Sequence, residues 1–143
     1  FCDKNAEYML NSFLEENILP IRESGQLKFI DAQDGIYFTD HIKIRFAFGH
    51  TDAMMLPQIN FKGKTIVYMA DLLPSVAHIP LPYIMAYDMF PMQTLKEKKE
   101  FLEEALANDY ILYFEHDPIN ECCTLQQTEK GIRLKETFRL DQL

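Results

Sequence analysis

The sequence predicts an α/β (α+β) fold, and three observations carry that prediction. Two stretches have helical apolar spacing, several short runs are alternating or continuously apolar, and glycine-centred turns separate those runs. Residues 5–18 place Leu10, Phe13, Leu14 and Ile18 on one helical face, and Pro20 follows as a stop. Residues 27–30 and 36–38 flank Asp34-Gly35 and read as a short hairpin. From Ile42, the apolar residues Ile42, Ile44, Phe46 and Phe48 alternate with Lys43, Arg45 and Ala47, which is the period of a strand with one buried face. That strand runs into Gly49-His50-Thr51. Residues 58–61 and 65–69 form a second hairpin about Lys62-Gly63-Lys64, whose glycine can take the positive φ of a tight turn, and it ends at Asp71.

Residues 72–93 contain Pro74, Pro80, Pro82 and Pro91, so no long regular element fits there. The segment is nonetheless rich in Leu, Ile, Met, Tyr and Phe, and an apolar loop of that length lines a site or a partner surface. Thr94-Leu95-Lys96-Glu97 matches a capping box opening a helix that carries Leu95, Leu102, Ala105 and Leu106 and ends near Asn108-Asp109. Residues 111–114 are a continuous apolar run of the kind found in strands covered on both faces, followed by Glu115-His116-Asp117-Pro118. Residues 122–128 and 132–140 flank Glu129-Lys130-Gly131 as a closing hairpin. With 143 residues and neither linker nor repeat, the chain reads as one domain.

Composition narrows the function. An apolar content of 48% with 25% charged residues excludes disorder. The net charge of −8 opposes phosphate binding, so nucleic acid is excluded as a partner. No apolar run approaches the ~20 residues of a membrane span, and Phe1-Cys2-Asp3-Lys4-Asn5 lacks a signal-peptide pattern. A cytoplasmic protein acting on a small molecule is expected. Three cysteines with Cys122 and Cys123 adjacent exclude a disulfide framework, and the pair reads as two small apolar strand residues rather than a metal or redox site.

His50, Asp71 and His116 share one context, each lying just beyond the C-terminal end of an apolar strand. Singly, such residues are ordinary loop caps or turn formers. Brought together, imidazole nitrogen and carboxylate oxygen are the ligands of a catalytic zinc site, where an open position holds water.

Phe48-Gly49-His50-Thr51, the run from Gly63 to Pro74 and Phe114-Glu115-His116-Asp117 resemble, in order and spacing, the later motifs of the metallo-β-lactamase-fold hydrolases. The resemblance implies that His50 binds one zinc and His116 a second, and that Asp71 bridges the two and helps orient a bridging hydroxide. That hydroxide would attack an ester, lactone, thioester or related bond. The long apolar loop resembles the lactonase and organophosphate-hydrolase side of the family more than its nucleases. The implied fold is the C-terminal half of an αββα sandwich, one mixed or antiparallel sheet with helices on one face.

The family's His-x-His-x-Asp-His cluster is missing, since the histidines are His41, His50, His78 and His116. The chain is therefore expected to be half of a longer protein, to bind zinc weakly or not at all by itself, and to be inactive alone. Its uncovered sheet face is expected to drive homo-oligomerisation. A non-catalytic oligomerisation or binding module is the alternative, and redox or persulfide chemistry on the same scaffold a third. Secondary candidates are His78 and Tyr87 as substrate contacts, Asp88 as a loop-fixing partner of Tyr87, and Asp52 as a partner of a ligand histidine or a turn cap. His41 reads as structural, and Met54, Met55, Met85, Met89 and Met92 as core or pocket wall.

Overall fold

The computed structural model describes residues 15–143, and the site is positioned by a seven-stranded sheet whose spatial order is its sequence order. The strands are β1 (Ile36–Thr39), β2 (Ile42–Ala47), β3 (Met54–Phe61), β4 (Lys64–Tyr68), β5 (Ile111–Tyr113), β6 (Cys122–Thr128) and β7 (Gly131–Phe138). All neighbours pair antiparallel except β4 and β5, which are parallel. A tight turn cannot join parallel strands, so the chain crosses over through a loop and a 17-residue helix, Pro91–Ala107.

This pattern decides where the chemistry lies. Because β3 is antiparallel to both β2 and β4, those two run in the same direction, and β5 runs with them. The C-terminal ends of β2, β4 and β5 thus share one end of the sheet. His50, Asp71 and His116 each come three residues past such an end.

The crossover helix buries Thr94, Lys98, Phe101, Leu102 and Ala105. Phe101, Leu102 and Ala105 pack with Leu56, Val67, Leu112, Cys123 and Leu125 of the sheet in the main core. The opposite sheet face gathers Ile66, Ile111 and Cys122 with half-buried Ile59, Tyr113, Phe138 and Leu143. Successive strand residues face opposite sides, so Cys122 and Cys123 enter different clusters. Both are free, and burial pushes their thiols up to about 11 and about 12. They are protonated packing residues, the ordinary strand role expected of them.

Three sequence expectations are corrected. Of the helix expected over 5–18, residues 1–14 lie outside the described set. The helix seen, α1 (Glu15–Glu23), continues through Pro20 and ends where Gly25 adopts φ +73°. Residues 27–30 form no strand, and β1 pairs instead with β2 through the Asp40-His41 turn, where Thr39 Oγ1 accepts from the His41 and Ile42 N–H groups. The helix expected to open at a Thr94 capping box begins at Pro91, whose fixed φ and missing N–H suit a first helical position. The chain divides into two units, one ending at Asp31 and one spanning Ala32–Leu143. No helix among the described residues is long and apolar enough to cross a membrane.

Helix α2 (Pro91–Ala107) is fastened to β2 by charge. Arg45 donates to Glu104, which also accepts from the Tyr110 hydroxyl at 3.1 Å, and the guanidinium lies 5.5 Å over the Phe101 ring. Burial alone would raise the Glu104 pKa, but the hydrogen bond and charge of Arg45 leave it below the usual carboxylate range. A depressed folded-state pKa contributes stability that is present above the unfolded value and lost as pH falls through the folded one. Urea unfolding should therefore separate the wild type from Glu104→Gln at pH 7, with the gap closing as pH falls below about 4.

Candidate functional site

Asp71 stands between two histidines. Its Oδ2 lies 3.3 Å from His50 Nε2 and its Oδ1 lies 3.2 Å from His116 Nε2, so each carboxylate oxygen faces one imidazole nitrogen. The His50 side chain is the more enclosed, and that of His116 is half exposed. Asp71 is aimed by the residue before it. Met69 N–H still donates to Tyr113 O, extending the β4–β5 ladder, and then Ala70 takes φ +41°, turning the chain sharply out of the strand. A non-glycine residue in that region costs about 1–3 kcal/mol and persists where surrounding structure fixes it; Ala70 is buried.

The turn carrying His50 is held from three sides. Glu97 of α2 accepts from the Phe48 and Gly49 N–H groups, each at 3.0 Å. Met89 N–H donates to His50 O and Phe90 N–H to Gly49 O. The ring itself is bonded through Nδ1 to Asp88 Oδ1 at 2.9 Å. A carboxylate partner at Nδ1 fixes the ring's orientation and turns Nε2 toward Asp71, the arrangement that orients ligand histidines. The Asp88 carboxylate is almost fully buried, and its Oδ2 has no hydrogen-bond partner among the described residues. Gly49 lets the turn close on α2, because a Cβ there would overlap the Thr94 backbone.

His116 is placed by its neighbour. Asp117 accepts from the N–H groups of Val76, Ile119 and Asn120, tying the loop after β5 to the turn after Asp71. Burial raises the Asp117 pKa, but these donors outweigh it and hold the group low. Beside Asp71, Tyr68 stacks on Tyr113 with ring centroids 6.1 Å apart. Burial first, then a hydrogen bond to Glu115, pushes its phenol up to about 12, so it stays a protonated donor.

The structure thus brings His50, Asp71 and His116 together, with Asp88 bonded to His50. His78 Nδ1 is bonded to Ser75 Oγ at 3.0 Å, and burial followed by the charge of Lys98 lowers its pKa. Tyr87 is 81% exposed. Asp52 is exposed, and it is Asp88 that partners the ligand-type histidine. His41 accepts from Asn60 N–H through its carbonyl, a structural role. Met55, Met89 and Met92 are exposed, so that part of the methionine set is surface rather than core. Glu97 and Lys98 were not singled out by the sequence, apart from Glu97's place in the expected capping box.

Two imidazole nitrogens facing the two oxygens of one carboxylate form a donor set that zinc accepts. Among the described residues no group of three or more His, Cys, Asp or Glu side chains is arranged to hold a metal ion.

No family model matches the sequence, and no curated protein matches it significantly. Solved structures do. A probable metal-dependent hydrolase from Staphylococcus aureus superposes with TM-score 0.67 at 25% identity, over 80% of this chain and 42% of that one. AidC, a dizinc quorum-quenching lactonase, matches with TM-score 0.70 at 24% identity, over 94% and 47%. The hydrolase AbOPH of the beta lactamase superfamily matches with TM-score 0.76 at 17% identity, over 95% and 48%. The chain is a structural match to metallo-β-lactamase-fold hydrolases and spans less than half the length of these proteins.

Gly49→Ala should destabilise the chain by about 1–3 kcal/mol or more in urea unfolding, because the overlap is with backbone rather than a mobile side chain.

Proposed function

We propose that this chain is the C-terminal half of a zinc-dependent hydrolase that acts on an ester, lactone, thioester or related bond. The observation that carries the reading is the placement of Asp71 with one oxygen toward His50 Nε2 and the other toward His116 Nε2. The fold shared with AidC and AbOPH supports it.

In this reading His50, His116 and Asp71 would hold zinc, with Asp71 shared, and the remaining ligands would come from residues outside this set. Bound zinc supplies Lewis acidity and brings the pKa of a bound water toward neutrality. The residues of this chain do the positioning. Asp88 keeps the His50 ring in the orientation that presents Nε2, and Asp117 keeps the His116 loop against the turn after Asp71. Asp71 would hold His50 and His116 in register and would orient a water between them. Next to the His50 turn, Met89 and Phe90 are exposed, with Tyr83 and Tyr87 on the same segment. This apolar rim suits the acyl or aromatic part of a substrate, with Tyr87 and His78 as proposed contacts. AidC was solved with the product N-hexnoyl-L-homoserine, and a lactone is the first substrate class to assay.

The test uses the intact protein. It should contain zinc, hydrolyse an acyl lactone or aryl ester, lose that activity on chelation and recover it on zinc addition. Asp88→Asn should reduce metal affinity or activity by about 10–100-fold, the effect of removing a carboxylate behind a ligand histidine. A metal-free protein without hydrolytic activity would favour the binding-module reading, and hydrolysis untouched by chelation would contradict the zinc-dependent one. The 143-residue chain alone should retain far less than one zinc after dialysis; near-stoichiometric zinc would contradict the split ligand set.

The sheet face opposite α2 presents Ile59, Tyr113 and the exposed Phe61 around an apolar cleft. We propose that the chain in isolation self-associates through it. Light scattering at micromolar concentration should give a mass above the 16.8 kDa monomer, and a monomeric mass would sink the idea.

A further inference from the structure

Lys98 is fully buried on α2, at a position where the helix pattern calls for an apolar residue. A buried ammonium persists only where its donors are satisfied. Here Nζ donates to Pro80 O at 2.9 Å, Leu81 O at 3.2 Å and Tyr83 O at 2.6 Å. Three donors meet three acceptors, all within a turn that Tyr83 N–H closes on Pro80 O.

The same loop runs on to Asp88, which grips His50 Nδ1, and to Met89 and Phe90, whose N–H groups bond His50 O and Gly49 O. Asp88 is also the acidic group whose charge acts on Lys98, and His78 is the other titratable group that feels it. One residue earlier on α2, Glu97 takes the N–H groups of the turn that carries His50. Two consecutive helix residues therefore hold the two halves of the His50–Asp88 pair, an anion on the turn's N–H groups and a cation on the loop's carbonyls.

We propose that Lys98 is a positioning residue for the candidate site: by gathering the carbonyls of Pro80, Leu81 and Tyr83 it fixes the loop that sets Asp88 against the His50 imidazole. Its effect on turnover rests on the hydrolase reading above, whereas its effect on the His50–Asp88 bond does not. Removing the ammonium takes the side-chain donor from the Leu81 and Tyr83 carbonyls, leaves Pro80 O with the Tyr83 N–H alone, and frees the loop between Pro80 and Asp88.

The experiment compares Lys98→Met with Lys99→Met, a change at the exposed neighbour, in the intact protein. Nitrogen-15 NMR follows the His50 Nδ1–H signal, and hydrogen exchange follows the Met89 and Phe90 amides. Folded Lys98→Met should lose the slowly exchanging Nδ1–H and lower protection at Met89 and Phe90 by about ten-fold or more, with Lys99→Met like the wild type. A folded Lys98→Met with all three signals unchanged overturns the proposal. Should that variant not fold, the wild type supplies the readout. Burial lowers the Lys98 pKa to about 8, against the opposing charge of Asp88. Above that pH the neutral amine has two N–H donors for three carbonyls. Protection factors at Met89 and Phe90 should fall with the Nζ titration, and factors flat through that titration overturn the proposal. Zinc content and lactone hydrolysis of the wild type report separately on the hydrolase reading, so either can fail without the other.

Discussion

The parallel pairing of β4 with β5 is the constraint on which the site depends. Were the two joined by a hairpin, their C-terminal ends would fall at opposite ends of the sheet, and Asp71 and His116 would be a strand length apart. The register Ile66 to Ile111, Val67 to Leu112 and Tyr68 to Tyr113 prevents that. It needs a crossover, and α2 provides one while covering the sheet with Phe101, Leu102 and Ala105. The helix that makes the pairing possible also carries the residues that hold the loops above it.

Those loops share a mode of support. Segments with little regular structure keep their shape here because charged side chains take up their free backbone groups. Glu97 and Asp117 accept from N–H groups, and Lys98 donates to carbonyls. Hydrogen bonds to a charged partner are stronger than neutral ones, and leaving a buried partner unpaired costs more than the bond contributes. Rigidity at the His50 turn is thus a property of α2 as much as of the turn. Between Tyr83 and Met92 this scaffold leaves the side chains of Tyr83, Tyr87, Met89, Phe90 and Met92 exposed.

Much of this was readable in the sequence. Alternation in residues 42–48, the glycine turn at Gly63 and the continuous run 111–114 located four of the strands, because period and turn chemistry are local signals. The three site residues were readable because each follows a strand end within a recognisable motif. Residues 27–30 misled because a short apolar run records burial potential without recording a partner, and β1 found its partner in β2. Thr94 misled because a capping box three residues inside a helix reads like one at its start, while Pro91 carried the better signal. Sequence alone pairs Asp88 with Tyr87 rather than His50 and assigns Lys98 no role. Their roles arise from contacts 38 and 15–18 residues away along the chain, and a lysine in a helix reads as solvated until its surroundings are known.

The matching hydrolases are more than twice the length over which they align. Anomalous X-ray scattering at the zinc edge, from crystals of the intact protein, tests the account most directly. The account predicts zinc bound by His50 Nε2, His116 Nε2 and the carboxylate of Asp71. Zinc held elsewhere, with these three side chains bonded only to one another, would contradict it.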